Sequence, residues 1–207
     1  MIPTPARTLG TAIHPLIVLI MIASISGSTA AQQPDELRGA TQERIRTATT
    51  VGEQHEALAR FVGEWDVEIT LMLPGVPEQH ASGRATYEWL IPGRWIGQRL
   101  TDELMGEPHE SFAIIGYDNF AKNYVIAGVS SFDTALNVSR GPVVDPEGGV
   151  IVTYGTQNDY TTGVLHKPYR IVTRIIDKDR HVVETWDMGI GPDGAAILEY
   201  RYTRRPR

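Results

Sequence analysis

From Phe61 to Arg204, apolar and polar side chains alternate in short runs broken by turn residues. Trp65, Val67, Ile69, Leu71 and Leu73 alternate with Asp66, Glu68 and Thr70, the period of two that turns one face of a strand inward and the other to water. Pro74-Gly75 ends that run. Ala81–Leu90 follows, then Arg94–Leu104 after Pro92-Gly93 and Glu110–Tyr117 after Gly106-Glu107-Pro108. Tyr124–Ser131, Leu136–Val144, Val150–Gln157, Tyr169–Ile176, His181–Met188 and Ala196–Thr203 continue the series. Gly191-Pro192-Asp193-Gly194 joins the last two with a strong hairpin signal. Spacing this tight favours pairing between sequence neighbours. Roughly ten antiparallel strands in series either close on themselves or stack as a sandwich, and closure leaves no edge exposed. The expectation is an all-β fold, a single antiparallel meander β-barrel of about ten strands.

The flanks of this series are of other kinds. Glu53–Val62 (EQHEALARFV) sets Ala57, Leu58 and Phe61 at helical spacing, which predicts one short N-terminal helix capping an end of the barrel. Gln32–Gly52 is polar and rich in Gln, Thr, Ala, Glu and Arg. It reads as a flexible linker with transient helix at most. Residues 1–31 have the build of a secretory signal: Arg7, the apolar run Pro15–Ile25, then Ser28-Thr29-Ala30-Ala31 as small residues for cleavage. The apolar run is short of the about 20 residues that a membrane span needs. The expected division is therefore a signal over 1–31, a linker over 32–52 and the barrel domain over 53–205, in a periplasmic or secreted protein with no stable membrane insertion after cleavage.

Composition narrows the partners. The 207-residue chain is 42% hydrophobic and 21% charged, with a formal net charge of −6. That balance suits a globular domain and speaks against nucleic acid, whose phosphates select basic surfaces. Arg201, Arg204, Arg205 and Arg207 cluster at the C-terminus, where a frayed strand end accounts for them. The chain contains no Cys. An exported protein of this kind relies on its core instead of disulfides.

Several segments carry a family resemblance. Glu56–Trp65 (EALARFVGEW), Gly116-Tyr117-Asp118 with Lys122-Asn123-Tyr124, Arg174–Asp177 (RIID), His181–Glu184 (HVVE), and Gly191-Pro192-Asp193-Gly194 followed by Glu199–Arg204 (EYRYTR) together resemble DUF1579, a bacterial family of uncharacterised proteins. The resemblance spans roughly residues 53–205. It implies a calycin-like barrel, the broad fold of lipocalins and fatty-acid-binding proteins, and implies no established activity. Gly63-Glu64-Trp65 is similar to the Gly-x-Trp signature that opens the first lipocalin strand. There Gly63 would permit the sharp entry and Trp65 would plug the barrel floor, with Arg201 or Arg204 stacked over the indole. The chain departs from the family around Ala127-Gly128-Val129-Ser130. Relatives carry an aromatic and an acidic residue near Gly128 and Ser130. If that face lines a cavity, this member has a roomier and less charged one.

Catalytic and metal chemistry find little purchase. The mature histidines, His55, His80, His109, His166 and His181, form no His-x-His or His-x-x-x-His pair and read as solvated surface groups, with no metal site expected. No cofactor is expected either; haem held by one mouth histidine, as in the nitric-oxide-sensing calycins, is the alternative, with His109 and His181 as candidates. Asp102, Glu103, Glu107 and Glu110 cluster on a hairpin and read as a solubilising rim. Glu184 and Glu199 are expected to face inward and pair with Arg174. No catalytic residue is assigned: there is no Gly-x-Ser-x-Gly and no phosphate loop.

Aromatic residues point to an interior site. Tyr87, Trp89, Trp95, Tyr117 and Trp186 fall in strands, and a barrel of about ten strands is wider than side chains fill completely. The reading that follows is an exported barrel binding a small hydrophobic or amphipathic molecule inside, with Trp89, Arg99, Ser130 and Trp186 lining the site. Two alternatives stand beside it. One is an enzyme acting on a small lipophilic substrate by electrostatic positioning, which an inward carboxylate of strongly raised pKa would support and a uniformly apolar cavity would argue against. The other is an interaction module with a filled barrel.

Overall fold

The computed structural model describes residues 35–144 and 149–206. The expected signal over 1–31 lies outside the described residues. Ten strands close one barrel: β1 (Gly63–Leu71), β2 (Gln79–Ile91), β3 (Trp95–Asp102), β4 (His109–Asp118), β5 (Asn123–Ser130), β6 (Asn137–Gly141), β7 (Val150–Asp159), β8 (Val164–Ile175), β9 (Arg180–Asp187) and β10 (Ala195–Arg204). Every neighbouring pair is antiparallel, and β1–β10 is the closing pair, with Val67 opposite Tyr202 and Ile69 opposite Tyr200. The sequence pattern and the structure agree on this meander. They differ at β8, which begins at Val164, ahead of the expected Tyr169. Pro168 sits inside that strand opposite Thr156. A proline supplies no ladder N–H, and here a register shift between Gln157 and Asp159 accompanies it.

Before the barrel, Asp35–Thr49 is an α-helix, α1, within the segment expected to be a flexible linker. Most of its residues are good helix formers, Gly39 and three threonines apart, with no proline among them, and Arg46 pairs with Glu43 one turn back at 2.6 Å. Apart from the first two residues, whose side chains are not described, it is exposed throughout. The capping element is α2 (Glu53–Glu56), continued by a 3₁₀ turn over Ala57–Arg60. It buries Leu58 completely and Phe61 almost so. Among the described residues, no helix is long and apolar enough to cross a membrane.

The barrel floor is packed around Trp65, which is 1% exposed. Its Nε1 donates to the Phe61 carbonyl at 2.7 Å, and the Arg204 guanidinium covers its ring at 4.1 Å. Arg204, not Arg201, fills the stacking role; Arg201 instead pairs with Glu199 at 2.7 Å. Val67, Ile69, Tyr87, Ile96, Leu100 and Tyr202 extend this core up the walls. Each fully buried aliphatic or aromatic side chain contributes about 1.5–3 kcal/mol. Trp65→Ala, which removes the largest of them, costs about 3–5 kcal/mol.

Three histidines contradict their expected place in solvent. His55, His109 and His181 are 4%, 7% and 2% exposed. Each is buried because it has partners: His55 Nδ1 accepts from the Gly52 N–H at 3.3 Å, His109 Nδ1 meets Asp102 Oδ2 at 2.9 Å, and His181 stacks on Tyr202 with ring centroids 4.2 Å apart. Asp102 is likewise no rim solubiliser, being 8% exposed.

Candidate functional site

The interior is incompletely filled. A cavity of about 250 Å³ runs from Leu58 and Phe61 at the floor to Ser130 and Asn137 near the opposite end. Inward positions follow the strand alternation, with Phe112 of β4 and Val129 of β5 also reaching the lining. Leu100, Ile115, Ile126, Ile151, Ile171 and Val183 form its apolar wall. Tyr124, Tyr169, Tyr200, Tyr202 and Tyr87 add five phenol rings. No Asp, Glu, Lys, Arg or His is among its lining residues, within the described part of the chain.

One polar group lies deep in the cavity. Tyr87 and Gln98 are cross-strand neighbours on β2 and β3, and Tyr202 reaches them from β10. Gln98 Nε2 donates to Tyr202 Oη at 2.8 Å. Tyr87 Oη lies 3.4 Å from His181 Nε2, and the Tyr87 and Tyr202 rings meet edge to face at 6.1 Å. Burial shapes the protonation of this group. It pushes the Tyr202 hydroxyl up to about 12 and raises Tyr87 well above the ordinary phenol value, because a phenolate there would lose its hydration. Burial, with the Arg204 charge adding to it, lowers His181 to about 3, so the imidazole is neutral at physiological pH. A second polar band lies higher, where Ser111 and Ser130 are opposite one another on β4 and β5, with Asn137 beside them.

Gly128 explains part of the free space. It faces the cavity from β5, and a Cβ built there would meet nothing nearer than the Phe112 carbonyl oxygen at 3.6 Å. Gly128, Val129 and Ser130 line the cavity, and none of the three carries a charge. By contrast, Gly155 is required by packing, since its Cβ would lie 2.7 Å from Tyr169 Oη.

The four residues expected to line the site part company. Ser130 is in the cavity wall. Trp89 is half-buried against the core cluster and does not reach the cavity. Arg99 is on the outer face, its guanidinium 4.8 Å over the Phe112 ring. Trp186 is also outside, covered by Arg170 at 4.4 Å and donating from Nε1 to Glu184 at 3.1 Å. Glu184 and Arg174 do form the expected ion pair, at 2.5 Å. The pair is on the outer face, because Val183 and Thr185 take the inward positions of β9. Of the other aromatic candidates only Tyr87 lines the cavity; the Trp95 ring lies over Gly116 instead. Neither haem candidate reaches the cavity: His181 is enclosed by Phe61, Trp65 and Tyr202, and His109 is held by Asp102. The residues present do not fit a haem group.

Tyr200 and Tyr202 were the missed pocket residues with a readable signal. Pairing β10 against β1 puts them opposite Ile69 and Val67, which the first strand already assigns inward.

A closed ten-stranded meander with a floor tryptophan and an internal cavity defines a calycin-like barrel. The family model for DUF1579, a protein family of unknown function, matches residues 50–204, and the chain belongs to that family. The crystal structure of Rv2717c from M. tuberculosis is similar over 76% of this chain and 100% of its own, with 13% identity and a TM-score of 0.55, which supports the fold alone. EF1p2_mFAP2b bound to DFHBI matches over 74% of this chain and 100% of its own, with 10% identity and a TM-score of 0.39, and nothing about this chain follows from it. A search of curated proteins returned no match.

Proposed function

We propose that this is an exported barrel protein that binds a small, partly hydrophobic molecule in its interior. The observation that carries the reading is the unfilled cavity of about 250 Å³ with an apolar wall and a few convergent polar groups, the usual make-up of a small-molecule site. A filled barrel, which the interaction-module alternative requires, does not describe this interior. The inward carboxylate that would favour the enzymatic alternative is not found in the cavity wall among the described residues.

Titration with methoxynaphthalene, an uncharged two-ring fluorophore, tests the binding step. The reading expects saturable one-to-one binding that Gly128→Leu abolishes. Absence of saturable binding, or binding unchanged in Gly128→Leu, contradicts it. Export is tested separately by the mature N-terminus, expected after Ala30 or Ala31; a mature protein that retains residues 1–31 contradicts cleavage.

A further inference from the structure

We infer that the cavity selects an uncharged molecule of about one to two aromatic rings whose hydrogen-bond acceptor, a ketone, aldehyde, ester or ether oxygen, turns inward to Gln98 and Tyr202. This deepens the binding reading above and rests on it.

Size sets the first limit. A dry cavity of about 150 Å³ accommodates benzene. The present one is about 250 Å³, room for a second small ring or a short substituent and too little for a long acyl chain.

Charge sets the second. A carboxylate or ammonium entering this cavity gives up its water and finds no opposite charge among the described lining residues. An unpaired buried ion is strongly disfavoured. The nearby carboxylate, Asp102, makes matters worse for an anion. It lies close enough to Tyr200 and Tyr202 to act on both hydroxyls electrostatically, its side chain is 1% exposed, and one of its oxygens has no hydrogen-bond partner among the described residues. It offers little to a cation, because it does not line the cavity and its other oxygen is held by His109.

Donor inventory sets the third. Tyr202 Oη accepts from Gln98 and from the Tyr87 hydroxyl, so the Tyr202 hydroxyl hydrogen is left to donate. The Gln98 amide uses one N–H on Tyr202 and has a second. Both nearby phenols are protonated at neutral pH, as phenols ordinarily are. Two hydrogens, from the Tyr202 hydroxyl and the Gln98 amide, therefore face the deep end beside the Gln98 carbonyl oxygen, and the complement of the pair is an oxygen that accepts them. Around that spot the wall is aliphatic, from Leu100 to Ile151 and Val183, which suits a flat apolar body.

Four naphthalenes of nearly equal shape test this by calorimetry: acetylnaphthalene, ethylnaphthalene, naphthoate and naphthylmethylammonium. The expected order puts acetylnaphthalene first, ethylnaphthalene about three- to tenfold weaker, and both ions at least about a hundredfold weaker. Tyr202→Phe or Gln98→Leu is expected to erase the advantage of the acetyl over the ethyl compound while leaving the ethyl compound's affinity within about threefold. Gly128→Leu is expected to abolish binding of all. If naphthoate or the ammonium binds as tightly as the ketone, and Gly128→Leu removes that binding, the ligand class is wrong and the cavity reading stands. Equal binding of the acetyl and ethyl compounds overturns the acceptor assignment in the same way. If none of the four binds, or Gly128→Leu changes nothing, the binding reading itself falls and this inference with it.

Discussion

The Arg204 guanidinium lies 4.1 Å from the centre of the Trp65 indole and ties the last strand to the first across the barrel floor. Its nitrogens donate to the carbonyls of Val62 at 2.8 Å, Arg60 at 2.5 Å and Lys178 at 3.1 Å. One side chain thus satisfies the end of the capping turn and the β8–β9 turn while shielding the indole. Arg204→Ala is expected to lower unfolding free energy by about 2–4 kcal/mol, read from urea denaturation. Arg204→Lys should recover less than half of that, because an ammonium cannot donate in a planar fork. A loss below about 0.5 kcal/mol for Arg204→Ala contradicts this account of the floor.

Gly63 is coupled to the same group. Its φ is +137°, and a Cβ there would lie 2.6 Å from Arg204 Nη1. Gly63→Ala is expected to cost about 1–3 kcal/mol. Its cost should shrink in the Arg204→Ala background, where the clash is gone and only backbone strain remains. A double-mutant cycle measures this, and strict additivity contradicts the contact.

Gly128 and Gly141 separate free space from filled space on one sheet. A Cβ at Gly141 would lie 1.9 Å from the Val152 carbonyl, so Gly141→Ala is expected to destabilise by about 3 kcal/mol or more. Gly128→Ala, with no atom nearer than 3.6 Å, should stay within about 1 kcal/mol of the wild type. Thermal melts of the two variants make the comparison, and equal losses contradict the assigned cavity.

His181 gives the barrel a pH dependence with a defined sign. Its folded value of about 3, set chiefly by burial and then by Arg204, is below the unfolded value of about 6.5. The unfolded state therefore binds the proton first. The stabilisation is fully present above about pH 6.5 and declines as pH falls toward 3, by up to about 1.4 kcal/mol per pH unit. His181→Phe removes this titration, so the stability gap between wild type and variant should narrow between pH 6.5 and 4. A constant gap across that range, or an imidazole NMR signal titrating near 6.5, contradicts it.

Much of this barrel was legible in the chain. β1 alternates without a break from Trp65 to Leu71, so its inner face, the floor role of Trp65 and the meander could be read directly. The cavity wall could not. On β9, Val182 and Val183 are adjacent and both apolar, so the alternation gives no phase, and Trp186 attracts an inward assignment on size alone. In the structure it is on the outer face because Arg170 covers its ring and Glu184 takes its N–H. Arg99 is turned outward in the same manner over Phe112. Cation–aromatic stacks let large rings sit on an outer wall, and nothing in the local sequence distinguishes such a ring from a cavity ring. Two of the buried histidines were missed for a related reason: their partners, Asp102 for His109 and Tyr202 for His181, come from other strands. Register, not composition, brings them together.

Native mass spectrometry of the mature protein purified from its own source, beside the Gly128→Leu variant prepared identically, tests the central claim most directly. The account predicts a discrete extra mass on the wild type that disappears on denaturation and is missing from Gly128→Leu. A bare protein mass for both, persisting after incubation with extracts of the source cells, would contradict it.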